Sequence, residues 1–183
     1  MSVYSGRLAR AARVLREGGL VAYPTESCYG LGCDPMNARA VRRLLRLKRR
    51  PLKKGLILIA ASFEQLRPYV AHVSEEILAG WPGARTWLLP ATPHTPVWIL
   101  GWHPRVAVRV SAHPVAAALC RAAGMAIVST SANPAGQRPA RSLREVHRRF
   151  GRHIDYVLPG RIGRRRRPTP IVDAVTRDIV RKG

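Results

Sequence analysis

RRLLRLKRRPLKKGLILI, residues 42–59, is the most informative stretch of this sequence. Eight cations lie among the thirteen residues 42–54, and a glycine and a wholly apolar run follow directly. Basic runs are usually found in solvated or mobile segments. This one leads straight into an apolar segment that has the character of a core strand. The sequence therefore predicts a fixed anion site on a rigid scaffold.

The first part of the stretch has the spacing of an amphipathic helix. Its apolar residues share one face at 100° per residue: Val41, Leu44 and Leu45. Most of the arginines fall on the opposite face, where a solvated surface explains them. Pro51 disfavours helix at Arg50, so the helix should end at about residues 48–49. Lys48 alone projects near the apolar face, either inward towards the next strand or with its stem along the surface and its ammonium in water.

Composition sets the class of protein. The chain has 183 residues, of which 46% are hydrophobic, so one folded domain over residues 1–183 is expected. The formal net charge of +22 favours a phosphate-rich partner, above all nucleic acid. An organism whose proteins are arginine-rich in general would explain the same charge without any such partner. The charge alone leaves both explanations open.

The cysteines and histidines form no pattern of a disulfide framework or a metal site. The three cysteines include no CxxC pair, and the six histidines lack ligand spacing, so we expect no protein-bound metal. The sequence has no apolar run near 18 residues and no signal-peptide pattern. It therefore predicts a soluble, cytoplasmic protein without membrane contact.

Strand and helix patterns mix along the chain without strict alternation. Helices are predicted around residues 8–15, 41–48 and 114–123, and at two capping patterns, Ser62 with Gln65 and Ser142 with Glu145. Strands are predicted at residues 20–23, 56–60, 86–89, 105–110 and 126–129, and near residues 154–158, 171–174 and 179–181. This pattern predicts an α/β or α+β domain with a twisted, mixed sheet flanked by helices.

A polar segment, YPTESCYGLGCDP at residues 23–35, follows the first strand. It is predicted to be a loop. It contains neither the dinucleotide-binding motif GxGxxG nor the P-loop motif GxxxxGK[ST], so neither kind of nucleotide site is expected here. Its glycines would let the backbone approach a ligand closely, or the segment is an ordinary turn-rich connection.

Arg109 is a cation in an otherwise apolar strand, RVAVRV at residues 105–110. The three valines share one face of that strand, and Ala107 and Arg109 share the other. A buried arginine usually pairs with a carboxylate, because its planar fork fits one with two hydrogen bonds. The partner is either a carboxylate of the protein or that of a ligand.

Two further segments carry polar groups. STSANPAG, residues 129–136, follows the predicted strand 126–129, and ligands of open α/β sheets bind at such strand ends. Its hydroxyls and amide could bind phosphate or ribose, or simply form a polar turn. GRIGRRRRPTPIVDA, residues 160–174, holds four consecutive arginines, which could fold over a polyanion or stay disordered.

These segments together resemble the threonylcarbamoyl-AMP synthase family, the YrdC-like proteins, in its short single-domain bacterial form. Four blocks carry the resemblance: YPTESCYGLGCDP (23–35), LKRRPLKKGLILIA (47–60), VAVRVSAHP (106–114) and VSTSANPAG (128–136). PTPIVDA (168–174) adds a weaker match. The resemblance implies a twisted α/β sheet with a basic concave surface. It implies the conversion of L-threonine, bicarbonate and ATP to threonylcarbamoyl-AMP and diphosphate. Partner proteins would use this product to make threonylcarbamoyladenosine in tRNAs that read codons beginning with A.

The resemblance also implies roles for individual residues. ATP would be bound by Lys48, Arg50, Ser129, Thr130, Ser131, Asn133, Arg165 and Thr169. The catalytic roles would fall to Lys48, Arg50, Ser131 and Asn133. Threonine would be bound by Thr25 and Arg109, and Tyr23 and Tyr29 would wall the pocket. Mg²⁺ is expected with ATP, without a tightly bound prosthetic group.

Some positions depart from the family's pattern. Ala84-Arg85 replaces a proline and an aliphatic residue, Thr169 stands where serine is common, and the run Arg164–Arg167 is more basic than usual.

The main alternative function is that of a non-catalytic module that binds double-stranded RNA or tRNA. Such a module would not need an inward Lys48, a strand-borne Arg109 and a hydroxyl cluster together. A carbamoyl-transfer domain of hydrogenase maturation is a third possibility, but its usual zinc-finger cysteines are absent.

Overall fold

The structure, a computed structural model, describes residues 3–183. Within that range it has nine strands and six α-helices. The strands are β1 Val21–Pro24, β2 Tyr29–Gly32, β3 Ile57–Ala60, β4 Thr86–Pro90, β5 Arg105–Val110, β6 Ile127–Ser131, β7 Tyr156–Val157, β8 Ile171–Asp173 and β9 Ile179–Arg181. The helices are α1 Val3–Arg16, α2 Ala38–Lys48, α3 Glu75–Ala79, α4 Val97–Leu100, α5 Pro114–Ala123 and α6 Leu143–Phe150.

All the strands join one mixed sheet in the order β7-β1-β2-β6-β3-β5-β4-β8-β9. The pairs β1/β7, β3/β5 and β4/β8 are parallel, and the remaining neighbours are antiparallel. Helices cover both faces, since α1 and α5 pack on one face and α2 and α6 on the other. The predicted class, an α/β domain with a mixed sheet flanked by helices, is confirmed.

The strands alternate between the two cores with a period of two residues. In β1, Ala22 contributes to the core beneath α2, and Val21 and Tyr23 contribute to the core beneath α1 and α5. In β3, Leu58 and Ile59 divide in the same way. The central strands of the sheet are therefore buried on both faces, whereas Ile179 and Val180 of the edge strand β9 are exposed.

The basic helix α2 ends where the sequence predicts, but it begins at Ala38, three residues before the predicted start at residue 41. Asn37 caps its start, because its side-chain oxygen accepts a hydrogen bond of 3.0 Å from the amide of Ala40. At its end Arg49 adopts a left-handed conformation with φ of 50°. The amide of Arg50 then donates to the carbonyl of Leu45 over 3.0 Å, as in a helix-terminating turn. Lys48 is the last helical residue and is buried.

The predicted helix after Ser62 is wrong. The chain there forms bends and a short 3₁₀ turn at Arg67–Tyr69. The side chain of Gln65 accepts a hydrogen bond from the amide of Ala61, instead of capping a helix, and donates to the carbonyl of Cys120. Pro68, six residues after Ser62, removes the amide that a continuing helix would need.

The predicted loop 25–35 contains strand β2, and β6 runs to Ser131 instead of ending at residue 129. β2 lies between β1 and β6, with Gly30 paired to Tyr23 on one side and to Ser131 on the other. Its sequence, YGLG, has little intrinsic strand preference. Pairing along both edges decides its conformation, because strand formation depends mainly on neighbouring strands.

None of the helices between residues 3 and 183 combines the length and the apolar character that a membrane crossing requires.

Candidate active site

A cavity of about 580 Å³ lies beside the ends of β1, β5 and β6 and the end of α2. Seven arginines line it: Arg50, Arg109, Arg138, Arg141, Arg149, Arg166 and Arg181. Hydroxyl groups face the same space, on Thr25, Ser27, Ser129, Thr130, Ser131 and Thr169. Glu26 and Glu145 are the acidic residues of its wall. The cavity is therefore a positively charged concavity suited to an anionic ligand.

The structure brings most of the predicted site residues to this cavity. The predicted residues in its wall are Thr25, Arg50, Arg109, Ser129, Thr130, Ser131 and Thr169. Lys48, Asn133 and Arg165 do not line it, but each is hydrogen-bonded to a residue that does. Tyr23 is fully buried beneath the sheet, and Tyr29 lines an adjacent cavity of about 370 Å³.

Lys48 braces the turn that follows β6. Its ammonium donates to the carbonyl oxygen of Asn133 over 2.7 Å and also to that of Ser131. The backbone carbonyl of Lys48 accepts from the amide of Ala135 over 2.8 Å. Burial, with a smaller contribution from Arg50, lowers the pKa of Lys48 to about 8. Lys48 points inward, as one of its two predicted orientations required, but it contacts the turn after β6 instead of the following strand β3.

Ser131 and Asn133 form the inner edge of that turn. The hydroxyl of Ser131 donates to Oδ1 of Asn133 over 2.5 Å, and Nδ2 of Asn133 donates to the carbonyl of Gln137 over 2.7 Å. Asn133 thus holds the shape of the turn, and Ser131 presents its hydroxyl at the cavity. Lys48 and the SxN pair, distant in sequence, form one hydrogen-bonded unit.

Arg50 extends from the end of α2 along the cavity wall. Its Nη2 donates to the carbonyls of Gly55 at 2.9 Å and Lys54 at 3.2 Å. Its Nε is buried and has no hydrogen-bond partner. Burial lowers the pKa of Arg50. One edge of this guanidinium is therefore anchored to the backbone, and the other is left without an acceptor.

Arg109 pairs with a carboxylate of the protein, which answers the question that the sequence left open. Its Nη2 lies 3.2 Å from Oε2 of Glu26, and its Nη1 donates to the hydroxyl of Thr169 over 2.6 Å. Ser111 donates to the other carboxylate oxygen of Glu26 over 2.7 Å. The Nε of Arg109 is buried without a partner. Glu26 and Thr169 take two of the five N–H donors of the Arg109 guanidinium, and Arg109 also lines the cavity.

Glu26 also ties the segment before β8 to the cavity. Its carbonyl oxygen accepts from the amide of Arg165 over 3.1 Å. A Cβ on Gly163 would lie 2.5 Å from that same carbonyl oxygen, so a side chain at residue 163 would push the segment away. Arg165 contributes its backbone here, and the neighbouring Arg166 lines the cavity.

The glycines of β2 serve packing as well as access to the cavity. A Cβ on Gly32 would lie 2.5 Å from the carbonyl oxygen of Val128 and 2.9 Å from the ring of Tyr23. Gly30 lies against the same ring and also lines the cavity. Thr25 closes the β1–β2 turn with a hydrogen bond of 2.8 Å to the carbonyl of Cys28.

Sequence reasoning missed several residues of this site. They are Glu26, Ser111, Arg138, Arg141, Arg149, Arg166 and Arg181. A signal existed for Glu26, which is the acid next to Thr25 in a block already singled out. Arg181 gave none, because it belongs to a short strand far along the chain.

Among the described residues, no group of three or more His, Cys, Asp or Glu side chains is placed to hold a metal ion.

His113 caps helix α5, because its ring accepts a hydrogen bond from the amide of Ala116, and burial lowers the pKa of His113.

Comparison with known proteins places this geometry in a family. The family model for Sua5, YciO and YrdC proteins, described as "Telomere recombination", matches residues 13–183. The chain belongs to the Sua5/YciO/YrdC family. It is 58% identical over 171 residues to the threonylcarbamoyl-AMP synthase of Halorhodospira halophila, covering 91% of this chain and 90% of that one. It is 55% identical over 180 residues to the threonylcarbamoyl-AMP synthase of Alkalilimnicola ehrlichii, covering 96% and 95%.

Solved structures of this family share the fold. P. abyssi Sua5 complexed with L-threonine matches with a TM-score of 0.86 and 36% identity over 92% of this chain. The match covers 51% of the Sua5 chain, so this chain spans about half of that protein's length. E. coli YciO matches with a TM-score of 0.83 and 28% identity, covering 96% of this chain and 88% of that one. The YrdC-like fold expected from the sequence is confirmed.

Proposed function

We propose that this protein is an L-threonylcarbamoyladenylate synthase, a nucleotidyltransferase that converts L-threonine, bicarbonate and ATP to threonylcarbamoyl-AMP and diphosphate. The observation that carries the proposal is the cavity in which seven arginines face the hydroxyls of β6. Relatives at 48–58% identity over most of the chain are threonylcarbamoyl-AMP synthases. Polyphosphate and carboxylate ligands both need such a positively charged, partly enclosed site.

The chemistry asks for positioning and charge neutralisation more than for a protein nucleophile. The amino group of threonine adds to the carbon of bicarbonate, with loss of water, and gives a carbamate. A carbamate oxygen then attacks the α-phosphorus of ATP, the bond from that phosphorus to the bridging oxygen breaks, and diphosphate leaves. Negative charge grows on the leaving diphosphate, so preorganised cations lower the barrier.

ATP would lie between α2 and β6. Arg50 would bind its phosphates, and Lys48 would hold the turn beside them and add positive charge. The hydroxyls of Ser129 and Thr130 would donate to phosphate or carbamoyl oxygens, and the hydroxyl oxygen of Ser131, whose proton goes to Asn133, would accept from a ligand N–H or O–H. Asn133 would keep Ser131 in place through their mutual hydrogen bond. Mg²⁺ would enter with ATP on its phosphate oxygens, because Glu26 already pairs with Arg109 and Ser111.

Threonine would lie near β5 and the β1–β2 turn. Arg109, which lines the cavity, would bind its carboxylate with guanidinium donors that Glu26 and Thr169 leave free. Thr25, at the same wall, would contact the amino acid's polar groups. Thr169 would orient Arg109, since its hydroxyl accepts from that guanidinium. In the segment that closes on the nucleotide, Arg166 would be the contacting arginine and Arg165 its backbone anchor.

The product would pass to proteins that form threonylcarbamoyladenosine in tRNA, in the cytoplasm. Direct tRNA contact is part of this proposal, because the formal charge of +22 exceeds what the cavity alone requires. Affinity for tRNA should then fall steeply with salt. A purely RNA-binding module is the alternative, but it gives no reason for a buried Arg109, paired with Glu26, to line a cavity.

The test is incubation of the purified protein with L-threonine, bicarbonate and ATP, followed by detection of diphosphate. Omission of any one substrate should abolish diphosphate release. Arg50→Ala should reduce it strongly, because Arg50 lines the cavity. Arg46→Ala is the matched control, an exposed arginine four residues earlier in the same basic run. Diphosphate release without threonine, or equal rates for the two variants, would contradict the proposal.

A further inference from the structure

Trp102 is the most exposed large apolar side chain among the described residues, since 81% of its surface is open to solvent. It lies in the short loop between α4 and β5. The 3₁₀ turn Leu52–Lys54 adjoins this loop and exposes Leu52 as well as two lysines. We call the surface formed by Trp102, Leu52, Lys53 and Lys54 the Trp102 patch. It is outside the cavity described above, and none of its residues lines that cavity.

The Trp102 patch is built on a fixed backbone. The amide of Trp102 donates to the carbonyl oxygen of Lys53 over 3.3 Å. Gly101 has a φ of 66°, and a Cβ there would lie 2.6 Å from that carbonyl oxygen and from the amide nitrogen of Gly55. The two segments therefore pack backbone to backbone at Gly101, which only glycine permits. The indole of Trp102 is exposed, but its point of attachment is held in place.

One face of the Trp102 ring is next to a cation. The ammonium of Lys53 lies 5.4 Å from the ring centroid, within the range of a cation–π interaction. Because so much of the side chain is exposed, the opposite ring face is open to solvent. An open aromatic face beside a positive charge is the arrangement on which nucleic-acid bases stack.

The charge of the patch has no counterion in the protein. The sequence contains no Asp or Glu among residues 35–63 or 77–144, and these ranges include the whole patch. None of the ion pairs within residues 3–183 includes Lys53 or Lys54. Arg49, which is also exposed, lies in the same acid-free stretch. The patch therefore favours a ligand with several negative charges.

The ligand must match both the cations and the open ring. An acidic peptide brings carboxylates but no regular supply of flat rings. Duplex RNA presents phosphates on its outside and keeps its bases stacked inside. Unpaired RNA offers phosphates and free base faces together, and binding surfaces for it combine cations with aromatic side chains. An unpaired strand is thus the ligand whose chemistry fits the whole patch.

The patch lies directly outside one wall of the cavity. Arg50 lines the cavity, and its Nη2 donates to the carbonyl oxygens of Lys54 and Gly55. The same turn therefore supports Arg50 on the cavity side and exposes its lysines on the outer side. RNA bound at the patch would lie beside the proposed nucleotide site without occupying it.

We propose that the Trp102 patch binds an unpaired stretch of RNA, with a base stacked on Trp102 and the neighbouring phosphates held by Lys53 and Lys54. This inference deepens the proposed function and rests on its direct tRNA contact, for which it names the surface and the kind of nucleotide. In a tRNA, the unpaired nucleotides are those of the loops and the 3′ end. The stacked base supplies binding that salt does not screen, in addition to the phosphate contacts.

The test is fluorescence anisotropy of a labelled single-stranded RNA, about ten nucleotides long, titrated with the protein. Trp102→Ala should weaken binding about fivefold or more, because a stacked base is lost. Trp102→Phe keeps an aromatic ring, so its affinity should lie closer to that of the wild type. Tyr4→Ala is the matched control, since it removes an aromatic side chain of α1, on the other face of the sheet. Its affinity should equal that of the wild type.

Salt dependence separates stacking from phosphate contact. Lys54→Gln should reduce the slope of log affinity against log salt by about 0.7, the value for one phosphate contact on a single strand. Trp102→Ala should leave that slope unchanged. RNA should also quench the tryptophan fluorescence of the wild type. Most of this quenching should disappear in Trp102→Phe, because Trp102 is the most exposed of the four tryptophans.

No binding of the single strand, or equal affinity of wild type and Trp102→Ala, overturns the inference. Tighter binding of the same sequence as a duplex also overturns it. Thermal unfolding checks the fold of each variant, and Trp102→Phe provides the test should alanine prevent folding. The proposed function is judged separately by diphosphate release, which Trp102→Ala should leave unchanged because Trp102 does not line the cavity. A wild type that binds RNA through Trp102 but releases no diphosphate keeps this inference and removes the proposed reaction.

Discussion

The ammonium of Lys48 donates a hydrogen bond of 2.7 Å to the carbonyl oxygen of Asn133, 85 residues further along the chain. This contact joins the end of α2 to the turn after β6, so the two halves of the proposed nucleotide site are held by one side chain. A lysine used in this way has two effects. It adds charge near the phosphates, and it fixes the backbone on which Ser131 is presented.

Lys48→Ala should therefore lower stability as well as activity. Its removal leaves the carbonyls of Ser131 and Asn133 without their donor, at a cost of about 2 kcal/mol in the free energy of unfolding. Diphosphate release should fall roughly a hundredfold, because preorganised charge is lost. Urea unfolding and a diphosphate assay measure the two effects. Arg46→Ala should leave both nearly unchanged, and an Ala variant at Lys48 of full stability would contradict the bracing role.

The stability contributed by Lys48 should depend on pH. Burial lowers its pKa to about 8 in the folded chain, from 10.5 in the unfolded chain. Between these values the unfolded chain binds a proton that the folded chain does not, so stability rises with pH across that window. Relative to that of Lys48→Met, the free energy of unfolding of the wild type should therefore increase between pH 8 and pH 10.5. A constant difference between the two proteins over this window would show that the pKa of Lys48 is not lowered.

Glu26→Ala should destabilise the fold and weaken threonine binding. Glu26 and Arg109 form a pair whose side chains are 10% and 7% exposed, and removal of one partner leaves a buried charge, at a cost of about 3 kcal/mol. The freed Arg109 also loses the contact that orients it. Chemical unfolding and the KM for threonine report these changes.

Glu76→Ala is the control for that experiment. Glu76 pairs with Arg177 over 2.6 Å, but both side chains are mostly exposed, so its loss should change stability little. Similar losses of stability in the two variants would mean that the Glu26–Arg109 pair is no more than a surface ion pair.

Gly32→Ala should destabilise the fold strongly, although alanine can adopt the extended backbone conformation of residue 32 in β2. The new Cβ would lie 2.5 Å from the carbonyl oxygen of Val128, and that backbone is fixed by β6. Overpacking of this kind costs about 1–3 kcal/mol.

Gly6→Ala is the opposite case, because nothing lies within 4 Å of its Cβ and it sits in helix α1. It should stabilise the protein by about 0.5–1 kcal/mol, and thermal unfolding of both variants tests the contrast.

Elements with strong local signals were predictable from the sequence. α2 has an Asn cap, an apolar face and a following proline, and α5 lies between Pro114 and Gly124. Local hydrogen bonds and side-chain packing are enough to specify such elements. β2 could not be predicted, because its YGLG sequence becomes a strand only between two partner strands. The helix expected after Ser62 failed for the related reason that the Gln65 side chain found partners in distant segments.

The candidate site divides in the same way. Lys48, Arg50, Arg109 and the hydroxyls of β6 were identified from their motifs, and most of them line the cavity. Arg166 and Arg181 reach the same space through chain reversals whose geometry no local pattern encodes, whereas Glu26 was missed although it directly follows Thr25. A residue far along the chain joins a site only when the sheet order is known.

Helices and strands with local caps and periodicity, the basic character and the blocks that carry the family resemblance are all evident in the amino-acid sequence. The contacts between distant residues are evident only in the folded chain, where Lys48 donates to the turn at Asn133, Arg109 pairs with Glu26, and Arg181 lines the cavity. The physical reason is that hydrogen bonds and ion pairs between distant residues depend on strand order and register. Periodicity and capping depend on neighbours in the chain, and those the sequence contains directly.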